Sequence, residues 1–169
     1  FLEGMENKFV NSDKLLIFHQ SAKKGSVDLI KNKKKWITFV GKLNKAKGYD
    51  IFSSSIKRIL NKYPDWKAKI IGDEKREKIV LKHKRADILG FRKHPEVLNI
   101  FKQSNIAVAC SRWEEPFGRT SLEASANGCA VIITNKGGLP ETVTDAKILK
   151  KLNVKYLTKT LEWLINNPL

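Results

Sequence analysis

Asn105-Ile106-Ala107-Val108-Ala109-Cys110, and after a polar break Glu115-Pro116-Phe117-Gly118-Arg119-Thr120-Ser121-Leu122-Glu123, is the stretch that decides the fold. Its first part is an apolar run of strand length; its second is a turn opening into a helix. Gly128 stops that helix, and Cys129-Ala130-Val131-Ile132-Ile133 reads as another strand. Strand, loop, helix and apolar strand in this order mark a parallel βαβ unit.

The same alternation extends in both directions. Upstream, Trp36–Val40 reads as a buried strand ending at Gly41, and Phe52, Ile56, Ile59, Leu60 and Tyr63 recur at helical spacing until Pro64. Ala68–Gly72 is the next strand, followed by a polar stretch from Asp73 expected to carry some helix. Ala86–Gly90 follows as a strand, and Pro95 opens a helix with Val97, Leu98 and Phe101. Downstream, Ala146–Leu149 predicts a short strand and Tyr156–Asn166 a final helix with Leu157, Leu161, Leu164 and Ile165. Strands this uniformly apolar imply a parallel sheet covered on both faces, an α/β Rossmann-like domain with right-handed crossovers. Residues 31–169 are assigned to it. Residues 1–30, with one strand-like run at Leu15–Phe18, read as the tail of a preceding domain and a linker, so the chain reads as a piece of a longer protein.

The 169 residues carry a formal charge of +16. The basic residues are spread from Lys8 to Lys159, which argues against a nucleic-acid interface and leaves contact with an anionic membrane surface as the second reading after solvated background. From Gln103 to Asp145, Arg112, Arg119 and Lys136 face Glu114, Glu115, Glu123, Glu141 and Asp145, so the motif-rich third is net acidic. No apolar run is long enough to span a bilayer. Cys110 and Cys129 lie inside apolar runs and read as buried, reduced thiols of a cytoplasmic protein. His/Cys clusters at ligand spacing and Asp-x-Asp elements do not occur, so no metal is expected.

Three loops follow predicted strands, where open α/β sheets bind ligands. Gly41-Lys42-Leu43-Asn44-Lys45-Ala46-Lys47-Gly48 frames three lysines between glycines, but lacks the Gly-Lys-Ser/Thr of a P-loop. Glu115 to Glu123 pairs two carboxylates, suited to vicinal hydroxyls, with a helix start suited to phosphate. Asn135-Lys136-Gly137-Gly138-Leu139-Pro140-Glu141 is by itself only a turn.

Taken together, the order GKLxxxKG, EPFGxxxxEAxAxG, GGxPE resembles the C-terminal domain of retaining glycosyltransferases of the GT-B fold, family-4 type, from about Lys35 to Leu169. The resemblance implies a nucleotide-sugar donor, a UDP- or GDP-sugar, as substrate and no separate cofactor. It places Lys42 and Lys47 on the donor diphosphate beside Gly41. Glu115 falls near the transferred sugar with Phe117 and Gly118, Glu123 on the ribose hydroxyls, and Arg119, Thr120 and Ser121 beside the phosphates. Leu89 and Phe91, flanking Gly90, match a region that contacts the base. Lys42 stands where the family more often has Arg, and Gly72-Asp73-Glu74 lacks a second glycine usual there. His19, His83 and His94 fall outside the motifs and read as surface or packing residues. The implied acceptor, a sugar or lipid-linked sugar of an envelope polysaccharide, would lie on an N-terminal domain that this chain lacks. Its absence predicts little turnover by the chain alone. A GT-B nucleotide-sugar epimerase and a non-catalytic basic binding module are the rival readings.

Overall fold

The computed structural model describes residues 20–22 and 33–167. The strand expected at Leu15–Phe18 and most of the linker lie outside them. Six strands form one parallel sheet: β1 Lys34–Val40, β2 Lys67–Ile71, β3 Ala86–Ile88, β4 Ser104–Ala109, β5 Ala130–Thr134 and β6 Lys147–Leu149. Their order is β3-β2-β1-β4-β5-β6, with every adjacent pair parallel. Four α-helices connect or follow them: α1 Tyr49–Lys62, α2 His94–Gln103, α3 Arg119–Ala126 and α4 Val154–Asn166.

The apolar strands divide by the two-residue period of a pleated sheet. Ile37, Phe39, Ile106, Val108 and Ile132 pack with Phe52, Ile56 and Ile59 of α1 and Leu157 and Leu161 of α4. Ala107, Val131 and Ile133 point the other way, to Val97 and Phe101 of α2 and Ala124 of α3. Burying a side chain such as Phe52, which is fully covered, stabilises by about 1.5–3 kcal/mol, so the two faces supply most of the favourable term. Lys33 joins the helical layer below the sheet, donating from Nζ to the carbonyl of Phe101 in the last turn of α2 and to that of Asn127 at the end of α3. A cation there meets the partial negative charge of both helix ends, although burial lowers the Lys33 pKa.

One expectation fails. The stretch from Asp73 to Arg85 contains no α-helix. Asp73-Glu74-Lys75-Arg76-Glu77-Lys78 offers no apolar stripe to bury, so nothing selects a helical period. Glu74 instead accepts from the Arg76 amide at 3.1 Å and from the Asn44 side chain at 3.0 Å.

Candidate functional site

The order β3-β2-β1-β4-β5-β6 reverses direction between β1 and β4. β1 leads into α1 on one face and β4 leads toward α3 on the other, so their carboxyl ends flank the crevice where doubly wound sheets bind ligands. A cavity of about 210 Å³ opens there. Its floor is Phe39, Val40, Ala109, Cys110 and Leu139; its walls include Gly41, Lys47, Ser111, Glu115, Gly118, Arg119 and Thr120.

The three glycine loops converge on this cavity because each is seated on another. After β1, the Lys47 amide donates to the Asn44 side chain at 3.0 Å and Gly48 N–H to the Lys45 carbonyl at 2.9 Å. Gly48 has φ +72 and a Cβ on it would lie 1.9 Å from the Cys110 carbonyl oxygen, so only glycine lets this loop rest on the end of β4. The Ala46 carbonyl accepts from the Arg112 amide at 2.8 Å, and Arg112 forks onto Asp50 at 2.6 and 2.8 Å. Partial burial pushes Asp50 up, but the Arg112 hydrogen bonds and charge outweigh it and hold the carboxyl low. Gly72 is required in the same way, since a Cβ there would meet the Gly41 carbonyl at 1.9 Å.

The loop after β5 shapes the loop after β4. Gly138 N–H donates to the Glu115 carbonyl at 2.7 Å and Gly137 N–H to Glu114 Oε2 at 2.6 Å. Thr134 Oγ1 reaches the Ser111 carbonyl at 2.6 Å, and Lys136 pairs with Glu114 at 2.6 Å. The Gly137-Gly138 pair is thus more than a turn.

Lys47 Nζ sits 2.5 Å from Glu115 Oε1, both side chains partly buried. Facing them is the start of α3, capped by Gly118 at φ 99 with no side-chain cap. Arg119 and Thr120 occupy its first turn, where amides have no intrahelical acceptor. A cation, a carboxylate and a positive helix end therefore meet across one cavity. The arrangement can hold an anion and accept hydrogen bonds from hydroxyls together.

The remaining expected residues are placed unevenly. Lys42 is exposed and does not line the cavity. Phe117 is partly buried, and its backbone packs against Gly138. Glu123 is buried one turn below the cavity, bound by Arg119 Nε at 2.7 Å and His94 Nε2 at 2.9 Å. Leu89 is half-buried, its amide continuing the sheet to the Ile70 carbonyl at 2.8 Å, and Phe91 is 74% exposed. Ser121 turns inward: its hydroxyl bonds the Gly118 carbonyl at 2.6 Å and Thr142 Oγ1 at 2.7 Å, which ties the start of α3 to the loop after β5. His94, read as a surface or packing residue, touches Glu123. Its place at the start of a Pro95-opened helix just after Leu89–Phe91 was the only local signal. Cys110 and Cys129 are buried free thiols, both pushed up to about 12, chiefly by burial. Among the described residues no group of three or more His, Cys, Asp or Glu is placed to hold a metal ion.

Comparison with known proteins agrees with this fold. The family model "Glycosyl transferases group 1" matches residues 21–169. Spore coat protein SA of Bacillus subtilis is 29% identical over 127 residues, 68% of this chain and 34% of that protein. The lipopolysaccharide core biosynthesis mannosyltransferase LpsB of Rhizobium meliloti is 31% identical over 121 residues, 66% of this chain and 34% of that protein. The chain thus spans about a third of the length of these curated relatives. The C-terminal domain of the group 1 glycosyl transferase LpcC from Francisella tularensis superposes with a TM-score of 0.69 at 26% identity, over 87% of this chain and 85% of that one. HepE from Anabaena, solved in complex with UDP and glucose, superposes at 0.68 with 21% identity, over 85% of this chain and 44% of that one, and shares the fold. The chain belongs to the group 1 family of glycosyl transferases and has the fold of a GT-B C-terminal domain.

Proposed function

We propose that this chain is the donor-binding half of a retaining glycosyltransferase, hexosyltransferase-like, that moves a sugar from a UDP- or GDP-sugar to a sugar or lipid-linked acceptor in envelope polysaccharide synthesis. The observation that carries the reading is the Lys47–Glu115 pair facing the open start of α3 across one cavity. Without ligand the two side chains neutralise each other. A diphosphate takes over Lys47 and the first-turn amides, and Glu115 Oε1 is released to accept from hydroxyls of the transferred sugar. As the glycosidic bond breaks, negative charge grows on the departing nucleoside diphosphate. Lys47 and the amides already point at it, which is electrostatic preorganisation. Lys42, beyond the cavity wall, acts on the diphosphate only at long range. The UDP in the HepE complex supports a uridine nucleotide as the first ligand to test.

The acceptor site is assigned to a preceding domain, with residues 1–30 as its tail and the linker from it. Among the described residues no helix is long and apolar enough to cross a membrane. Peripheral contact of a cytoplasmic protein with the inner membrane face is supported by exposed Ile148, Tyr156 and Trp163 beside Lys147, Lys150 and Lys159, with no acid among the residues lining that patch. Anionic vesicles should sediment the protein and neutral ones should not.

Calorimetry with UDP, GDP and ADP tests the central reading: millimolar or tighter binding of one of them is expected, and no heat with any of them refutes it. Product analysis on a protein carrying both domains separates transfer, which needs an acceptor, from epimerisation, which does not. Tight DNA binding that weakens steeply with salt would favour the binding-module reading.

A further inference from the structure

Two cationic or proton-donating groups converge on one oxygen of Glu123. Arg119 Nε donates to Oε1 at 2.7 Å from the same helix, and His94 Nε2 lies 2.9 Å from that atom. No described residue donates to Oε2. An ionised carboxylate only accepts hydrogen bonds, so His94 presents a proton on Nε2 and not a lone pair.

The two partners hold Glu123 differently. Arg119 is a long side chain, 68% exposed, four residues earlier on α3. Left alone with Glu123, its planar guanidinium is free to take both carboxylate oxygens as a fork. His94 comes from another element, the first residue of α2, and its short ring claims Oε1 from across the groove between α2 and α3. With Oε1 shared between Arg119 and His94, the fork is blocked and Oε2 stays available as an acceptor. His94 also follows Leu89 and Phe91 by a few residues, so it ties the carboxylate to the loop leaving β3.

We propose that His94 is a positioning residue for the nucleoside end of the donor, holding Glu123 so that Oε2 receives the vicinal ribose hydroxyls. The proposal rests on the donor-binding reading above. It assigns a role in ribose recognition to a side chain outside the three loop motifs, and it makes that role conditional on the ligand's hydroxyls.

The test is calorimetry with UDP and with 2′,3′-dideoxy-UDP on the whole chain, or with GDP and its dideoxy analogue where guanosine binds better. Wild type, His94→Ala, His94→Gln and Glu123→Gln are compared after melting curves confirm that each is folded. The wild type should prefer UDP to the dideoxy nucleotide by about tenfold or more, the usual weight of a hydrogen bond to a charged group. His94→Ala should remove most of that preference by weakening UDP alone, with dideoxy-UDP unchanged within about twofold. His94→Gln, which retains an N–H donor, should recover much of it. Equal weakening of both nucleotides by His94→Ala, or no weakening of either while Glu123→Gln erases the preference, overturns the role of His94 and leaves the donor-binding reading standing. Failure of the wild type to bind any nucleotide, or an intact preference in Glu123→Gln, refutes the ribose reading itself and the proposal with it.

Discussion

Gly137→Ala isolates the contact by which one loop shapes another. Gly137 has φ +52, and a Cβ added there would lie 2.2 Å from the Glu115 carbonyl oxygen and 2.5 Å from the Glu115 nitrogen. Alanine in the left-handed region costs about 1–2 kcal/mol by itself. Ordinary contact begins near 3.4 Å, so the Glu114–Glu115 backbone must retreat by more than 1 Å. That retreat strains the bonds from Gly138 N–H to the Glu115 carbonyl and from Gly137 N–H to Glu114. Each such bond is worth about 1 kcal/mol net, and forced repacking adds about 1–3 kcal/mol. With both bonds lost the sum is about 4–7 kcal/mol. Gly90→Ala supplies the control, because Gly90 has φ +67 with no atom within 4 Å of the added Cβ. It should cost only the backbone term of about 1–2 kcal/mol. Urea unfolding followed by tryptophan fluorescence measures both, and at about 2–4 °C per kcal/mol for a chain of this size the melting temperatures should separate by several degrees. Equal losses in the two variants would refute the argument that the loops are mutually seated.

Three further outcomes are expected. Lys47→Met should weaken nucleoside diphosphate binding by about tenfold or more through loss of a charged hydrogen bond, whereas Lys42→Met should change it by less than about threefold, as screening predicts for an exposed charge at a distance; titration calorimetry of both variants decides. Glu74 is held down to about 2, first by the Arg76 amide and then by the Arg76 and Asn44 side chains, so its stabilising effect is complete above the ordinary value of 4.5 and is lost as pH falls from there toward 2; Glu74→Gln should flatten that part of the stability–pH curve measured by urea unfolding. Burial that raises Cys110 and Cys129 to about 12 leaves about a thousandfold less thiolate at pH 8 than an ordinary thiol, so iodoacetamide should spare both until denaturant is added.

Most of the fold was legible because the periodicities are unmixed. Strands buried on two faces read as continuous apolar runs, and within the described residues the expected strands and helices, apart from the stretch after Asp73, agree with the structure to within about one or two residues. The charged stretch from Asp73 had no period to read, and its structure depends on Asn44, 30 positions away. The glycines were legible as special but not in their purpose. A sequence offers a phosphate cradle or a turn as the reason for Gly48 or Gly137; the reason is the Cys110 carbonyl in one case and the Glu115 backbone in the other. The surroundings of Ser121 and His94 were hidden for a similar reason. Thr142 draws the serine inward, and the packing of α2 on α3 brings the histidine to Glu123.

The net acidic balance from Gln103 to Asp145 would by itself oppose an anionic ligand, and its resolution lies in pairing across elements. Glu114 is neutralised by Lys136 and Glu115 by Lys47, which comes from the first loop and lies outside that stretch. Glu123 is met by Arg119 from α3 and by His94 from α2. None of the three carboxylates therefore confronts the cavity as a free charge, while the Arg119 and Thr120 amides at the start of α3 have no intrahelical acceptor. On the proposed donor-binding reading, a diphosphate in the crevice would meet those amides and Lys47. On that reading Glu115 is released when the ligand claims its lysine. Such an exchange would let carboxylates suited to hydroxyls share nine residues with a helix start suited to phosphate.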